Sequence, residues 1–194
     1  MSAVTTTFGY NAAEDRLWLN CDAWPQRIWI TRRMACKVLQ AAAQAIEDAL
    51  APGDAAVAGP TPTAPAAVAE LAAAEHDAAL NRPQPGEDAH ALRMGTESTN
   101  AAPLKDAVLC SRFRLTQRGD NADLVFDTPA GEQALHLSRV GLHRWMHALH
   151  LVMAQTQWDE VVKLPGWLKR SYLPPALKAL LDAPLPKGDN LPDD

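Results

Sequence analysis

Apolar and polar residues alternate in two separate stretches of the chain, and each stretch runs into a segment with helical spacing. The alternating apolar residues of the first stretch are Leu17, Leu19, Ile28 and Ile30, on either side of the turn DAWP. Alternation at period two is typical of strands that bury one face. The run RRMACKVLQAAAQAI that follows has the spacing of a helix, with Thr31 as its N-cap.

The second stretch repeats this order at an offset of 107 residues. Its alternating apolar residues are Leu124, Phe126, Leu135 and Leu137, and its turn is TPAG. Ser138 stands where Thr31 stands in the first stretch, and a helix is predicted over RVGLHRWMHALHLVM. Between 17–32 and 124–139, four of sixteen positions are identical without a gap. We therefore predict an internal duplication.

A further strand is predicted before each hairpin, over 5–10 and 111–117, so each unit has the order β-β-β-α. The predicted fold class is α+β, with the two antiparallel meanders and their helices forming a pseudo-dimer within one chain. The predicted segments are a first unit over 1–50, an Ala/Pro-rich acidic linker over 51–104, a second unit over 105–158, and a C-terminal helical arm and tail over 159–194. One linker helix is predicted over 66–82, and 84–103 shows no usable period.

Composition changes this interpretation little. The chain has 194 residues, of which 47% are hydrophobic, and a net charge of −5. Its three cysteines form no CxxC pair, and its first residues lack the basic and apolar regions of a signal peptide. We therefore predict a cytoplasmic protein with no membrane partner. The linker carries 2 basic and 7 acidic residues, so the two units are close to neutral, which does not favour nucleic acid as a partner.

Catalytic motifs are absent from the sequence. It contains no GxxxxGK[ST] loop, no GxGxxG loop and no GxSxG elbow. Ser138 already has a role as a helix cap, and the cysteines are of the kind more often buried than reactive. The sequence thus predicts a protein that is not an enzyme and binds no cofactor.

The first candidate surface lies on the first hairpin. If the alternating leucines and isoleucines face the helix, the opposite face carries Arg16, Trp18, Arg27 and Trp29. Such a face can stack unpaired bases and contact phosphate. The repeated order of meander and helix is also similar to that of the Pur-alpha and Whirly single-strand DNA-binding families, whose units have four strands. Alternatively, the second unit, the linker helix or a partner covers both indoles.

The second unit contributes less to such a surface. Its equivalent positions are mainly acidic or small, and Arg112 and Arg114 are its basic residues near the face. They are the candidate phosphate contacts of this unit.

A second candidate is the histidine series His143, His147 and His150 on the second unit's helix. The spacing puts the three imidazoles on one side of the helix, opposite most of its apolar residues, so we expect them to face solvent. Imidazoles four residues apart can bind zinc, copper or nickel, but no Cys, Asp or Glu of this helix completes such a site. A solvated or partner-binding face is the favoured interpretation, and no metal is predicted.

The third candidate is the C-terminal arm. It is too apolar to remain free in water, and its large anchor residues are Trp158, Trp167, Leu168 and Tyr172. They dock either on the chain's own core or in a groove of another protein.

Three functions follow from these surfaces, and the third of them, ranked below the other two, is metal sensing or transport through the histidine series. The first is a non-catalytic adaptor or assembly subunit that binds a protein partner through a sheet face and the arm, with homo-oligomers also compatible. The alternative is a single-stranded nucleic-acid-binding protein that uses the Arg/Trp face.

Overall fold

A computed structural model describes residues 5–51, 65–82, 91–94, 107–156, 158 and 163–169. The fold class is α+β, as predicted. The first half contains β1 (Thr5–Asn11), β2 (Arg16–Cys21), β3 (Arg27–Thr31), α1 (Arg32–Leu50) and α2 (Pro65–Asn81). The second half contains β4 (Ala91–Met94), β5 (Ala107–Leu109), β6 (Arg112–Arg118), β7 (Asn121–Thr128), β8 (Gly131–Ser138), α3 (Arg139–Gln155) and α4 (Gly166–Lys169).

The strands form two sheets. The first sheet has the order β4-β1-β2-β3-β5, in which β1, β2 and β3 are the predicted antiparallel meander. β4 and β5 pair in parallel with β1 and β3 and so extend the meander at both edges. The sequence pattern does not predict these two strands, because three or four residues are too few to reveal a period.

The second sheet is the antiparallel meander β6-β7-β8. Its first strand follows β5 after only two residues. The Cys110 amide donates to the Trp29 carbonyl at 2.9 Å, and the Ser111 amide donates to the Asp127 carbonyl at 2.9 Å. One continuous stretch of chain therefore passes from the edge of the first sheet to the edge of the second.

The two helices that follow the meanders, α1 and α3, begin at the predicted residues. The Thr31 hydroxyl accepts from the Met34 amide at 3.3 Å, and the Ser138 hydroxyl accepts from the Gly141 amide at 3.1 Å. Each hydroxyl thus satisfies one of the free amides in the first turn of its helix.

The two hairpins differ in register, although their sequences align without a gap. Leu17 pairs with Ile30 in the first hairpin, whereas Leu124 pairs with Leu135 in the second. The cause is a tighter turn, since Thr128 pairs directly with Gly131. A shift of two residues keeps the same side chains on the core face.

A single core joins the two sheets through the helices. α1 contacts β2, β3 and β6, whereas α3 contacts β1, β4, β7 and β8. Trp145 of α3 is fully buried, with its ring centroid 5.3 Å from that of Phe8 and 6.3 Å from that of Phe126. α2 packs against α1 and α3, and α4 packs against α2.

Gly9 leaves the space that one of the buried indoles occupies. It lies opposite Trp18 in the β1–β2 ladder. A Cβ atom at this position would stand 2.2 Å from Cζ2 of Trp18, well inside van der Waals contact.

We expect Gly9→Ala to lower the free energy of unfolding by about 1–3 kcal/mol, because the buried Trp18 ring must move to admit a methyl group. Urea denaturation measures the change. Gly166→Ala is the matched control, since a Cβ there meets no atom within 4 Å. Equal stability of the two variants would show that the ring is not confined.

Candidate functional site

The indoles of the Arg/Trp face of the first sheet are buried. Trp18 and Trp29 pair across β2 and β3 and are only 3% and 7% exposed. The Arg27 guanidinium carbon lies 5.0 Å from the centroid of a Trp18 ring, and Arg16 pairs with Glu14 at 3.8 Å. Of the two arrangements that the sequence leaves open, the structure has the one in which the indoles are covered, so neither ring is available to stack on a base.

The outer face of the second sheet is, by contrast, in contact with water, and we name it the open face. It consists of Arg112, Arg114, Thr116, Arg118, Asp123, Val125, Asp127, Glu132, Ala134 and His136, all of them exposed or half-buried. These residues alternate with inward-facing apolar residues along the three strands, as the period-two pattern requires.

Ion pairs connect the three strands across the open face. Arg114 donates to Asp127 at 2.8 Å and also to Glu132, and these two hydrogen bonds raise the pKa of Arg114. Nδ1 of His136 lies 2.7 Å from a carboxylate oxygen of Asp123. Arg114, a candidate phosphate contact, is thus held between two carboxylates rather than free for phosphate.

The outer two arginines are held more loosely. Nε of Arg112 is 3.8 Å from Asp127, and Nε of Arg118 is 3.6 Å from Asp123. Their side chains are 74% and 77% exposed, against 48% for Arg114. Exposed pairs of this kind contribute little to stability, so both guanidiniums can exchange partners at low cost.

The described part of the C-terminal arm belongs to the core. Trp158, Trp167 and Leu168 are 3% exposed or less. The indole nitrogen of Trp167 donates to a carboxylate oxygen of Glu47 at 2.8 Å. These three side chains are therefore docked on their own chain and form no free surface for a partner, which corrects one of the two interpretations of the arm. Tyr172 lies outside the described residues.

We expect Trp167→Ala to lower the free energy of unfolding by about 3–5 kcal/mol, because it removes a buried indole and leaves Glu47 without its donor. Thermal and chemical denaturation measure this loss. Lys169→Ala, an exposed change on the same short helix, should be close to neutral. A Trp167→Ala protein as stable as the Lys169→Ala control would contradict the docked arm.

The histidines of α3 form a buried cluster with a residue from the linker helix. His143 is fully buried, His150 is 7% exposed, and His147 is partly buried, so the expectation that they face solvent is wrong. The reason is that α2 covers this side of α3. His76 of α2 lies within 6 Å of both the His143 and the His147 ring, measured between centroids.

His76 is a site residue that the sequence reasoning does not find. It lies in the middle of a buried stripe of α2 formed by Ala72, Ala73, His76 and Ala79. A histidine at helical spacing among small residues is the signal that could have indicated it, because such a stripe allows close approach of another helix.

The two most buried imidazoles contact each other directly. Nδ1 of His76 lies 3.1 Å from Nδ1 of His143, while Nε2 of His143 faces Glu75 at 3.7 Å. A bidentate ion pair with Arg139 fixes that carboxylate. The tautomer that serves both contacts has His76 donating from Nδ1 to His143, with the His143 proton on Nε2 and directed toward Glu75.

Burial keeps these rings neutral. It lowers the pKa of His76 to about 3, with His143 and the other helix histidines adding to the effect. It lowers the pKa of His143 to about 4, helped by the Arg139 charge, and it lowers the pKa of His147. At neutral pH the cluster is therefore an uncharged polar contact between α2 and α3.

We expect stability to fall as pH drops below about 6.5. An unfolded histidine binds a proton near pH 6.5, whereas folded His76 and His143 resist protonation down to about pH 3 and 4. Each histidine then lowers the free energy of unfolding by about 1.4 kcal/mol for each pH unit of acidification. For the two together the loss between pH 6 and pH 5 is roughly 2–3 kcal/mol. Urea denaturation at pH 7, 6 and 5 measures this.

A variant separates this effect from general acid instability. His76→Leu should show a shallower decline between pH 7 and 5, because one of the two buried titrating groups is gone. If the wild-type curve is flat over this range, or if the variant declines as steeply, the cluster is not buried in solution.

The remaining chemical groups do not add to this site. Burial raises the pKa of Cys110 to about 11, so its thiol stays protonated. Among the described residues, no group of three or more His, Cys, Asp or Glu side chains is arranged to hold a metal ion. In the same part of the chain no helix combines the length and apolarity needed to span a membrane.

No family model, curated protein or solved structure matches the chain.

Proposed function

We propose that this is a non-catalytic cytoplasmic interaction protein that binds a protein partner through the open face. The observation that carries the proposal is a three-stranded face of alternating charge that is left in contact with water, while the indoles of Trp18, Trp29, Trp158 and Trp167 are buried. In its middle Val125 and Ala134 form a small apolar pair across β7 and β8. An apolar centre with a charged rim is typical of transient protein interfaces.

The charge balance favours a protein over a nucleic acid. The open face carries three arginines and three acidic residues, and each arginine has a carboxylate within 4 Å. A nucleic acid lying across the open face would place phosphates against Asp123, Asp127 and Glu132 as well as against the arginines. A protein surface can match both signs at once, which gives specificity of pairing.

We further propose that the fold arose by duplication and forms an internal pseudo-dimer. Three features support this: the repeated β-β-β-α order, the equivalent caps at Thr31 and Ser138, and reciprocal packing in which α1 contacts β6 and α3 contacts β1. The sheets of the two units would then have come to serve different roles. The first sheet has both faces buried at β2 and β3, whereas the second keeps one face for binding.

Exchanging two charges of the open face tests it as a binding surface and still leaves an ion pair on it. In the double variant Arg114→Glu/Glu132→Lys the new lysine lies opposite Asp127 in the ladder, so an internal ion pair remains while the pattern seen by a partner is inverted. We expect an unchanged melting temperature and about a tenfold or greater loss of partner retention from nuclease-treated native extract. Lys37→Glu, an exposed reversal on α1, should retain the partner.

Two outcomes would count against the proposal. Equal retention by the double variant and the wild type would remove the open face as the binding site. Material that binds only without nuclease treatment would instead support the nucleic-acid alternative.

A further inference from the structure

The two edges of the second sheet differ in the neighbours that the described residues give them. At β8 the indole nitrogen of Trp24 donates to the main-chain carbonyl of Ala134 at 2.9 Å, so the β2–β3 turn contacts that edge in the middle of the strand. β6 is the other edge, and within the described ranges its only ladder partner is β7. An edge strand of seven residues presents main-chain donors and acceptors to a further strand.

The outward side chains of this edge strand are basic at three of four positions. They are Arg112, Arg114, Thr116 and Arg118. The alternate residues Phe113 and Leu115 point inward and are half-buried against the core, so the strand is held in register from behind. Within the described residues, this edge thus combines main-chain groups of β6 with a row of guanidiniums, although the Arg112 carbonyl already accepts from the Cys110 thiol at 3.2 Å.

We propose that β6 binds an extended acidic segment of a protein partner, which adds to the second sheet as a fourth strand. The inference rests on the proposed function and names the chemistry of its partner. Main-chain hydrogen bonds to the edge would supply affinity, and carboxylates at every second position would lie beside the arginines on the open face.

The arginines can accept such a segment because two of them are only loosely engaged. The closest carboxylate atoms lie 3.8 Å from Nε of Arg112 and 3.6 Å from Nε of Arg118. The acids that hold these two arginines, Asp127 and Asp123, belong to β7, which lies beside β6 within the sheet. A new strand on the side of β6 away from β7 would give each guanidinium a second carboxylate without breaking the first pair.

A second copy of the chain is a poorer occupant of this edge. Symmetric antiparallel pairing about Leu115 places Arg112 opposite Arg118 of the second copy, and pairing about Arg114 places that residue opposite its own copy. Like charges directly opposite each other destabilise a strand pair. The charge pattern therefore disfavours self-association and selects an acidic strand.

The test uses a fluorescein-labelled nine-residue peptide with glutamate at every second position and valine or threonine between. Anisotropy at low salt should show saturable binding to the full chain, and the same peptide with lysine in place of glutamate should not bind. Arg112→Glu/Arg118→Glu should weaken binding by about tenfold or more. Arg33→Glu/Lys37→Glu, a matched pair of exposed reversals on α1, should leave it unchanged.

Two further peptides test strand addition itself. N-methylation of alternate amides in one register removes the donors that face β6, and methylation in the other register removes the opposite set. One of the two should abolish binding and the other should not. Absence of binding by the parent peptide, equal binding by the two double variants, or indifference to both methylation patterns would overturn the inference.

The same variants keep this inference separate from the proposed function. Suppose that partner retention is lost with Arg114→Glu/Glu132→Lys but is intact with Arg112→Glu/Arg118→Glu, and that the glutamate peptide does not bind. The open face would then be the binding site and the edge would not. If neither variant affects partner retention, the proposed function itself fails.

Discussion

The packing of one tryptophan holds the two halves of this protein together. Trp145 is fully buried and touches Phe8 of the first sheet and Phe126 of the second, so a single side chain of α3 spans the core between the sheets. Its indole nitrogen has no hydrogen-bond partner among the described residues, which costs about 1–3 kcal/mol. The free energy gained by burying the apolar ring must exceed that cost. α1 and α2 pack directly against the helix that carries this side chain, and α4 packs against α2.

The histidine cluster is the second layer of the same arrangement. Once Trp145 directs one side of α3 toward the sheets, the opposite side carries His143 and His147 and still has to be covered. An alanine-rich helix provides this cover because its small side chains permit close approach, and His76 supplies a polar partner at the point of contact. Trp167 of α4 packs against the His76 ring, and its indole nitrogen donates to Glu47.

The sequence predicts the strands of the meanders and the helix starts well, but it does not predict which distant segments pair with or cover them. Alternation at Leu17 and Leu19, and the hydroxyls of Thr31 and Ser138, depend on neighbours along the chain, so the meanders and the helix starts could be predicted from them. β4 and β5 could not, because their stability comes from pairing with strands about eighty residues away rather than from their own pattern.

The candidate site shows the same division. Arg112 and Arg114 lie on an exposed face, and their alternation with apolar residues indicates this. The burial of Trp18 and of the α3 histidines depends on which element covers them, and an amphipathic pattern cannot say whether its polar side meets water or another helix. His76 illustrates the difficulty, since its burial depends on a helix that begins 63 residues later, at Arg139.

The parallel edge strands impose an order of events on the nascent chain. β1 and β3 are the outer strands of the first meander, and both are completed only by segments that lie between residues 91 and 109. During synthesis the first meander must therefore wait with two unpaired edges, and long-range pairing of this kind slows folding. For that interval the outer edges of β1 and β3 can pair with other chains, which favours aggregation.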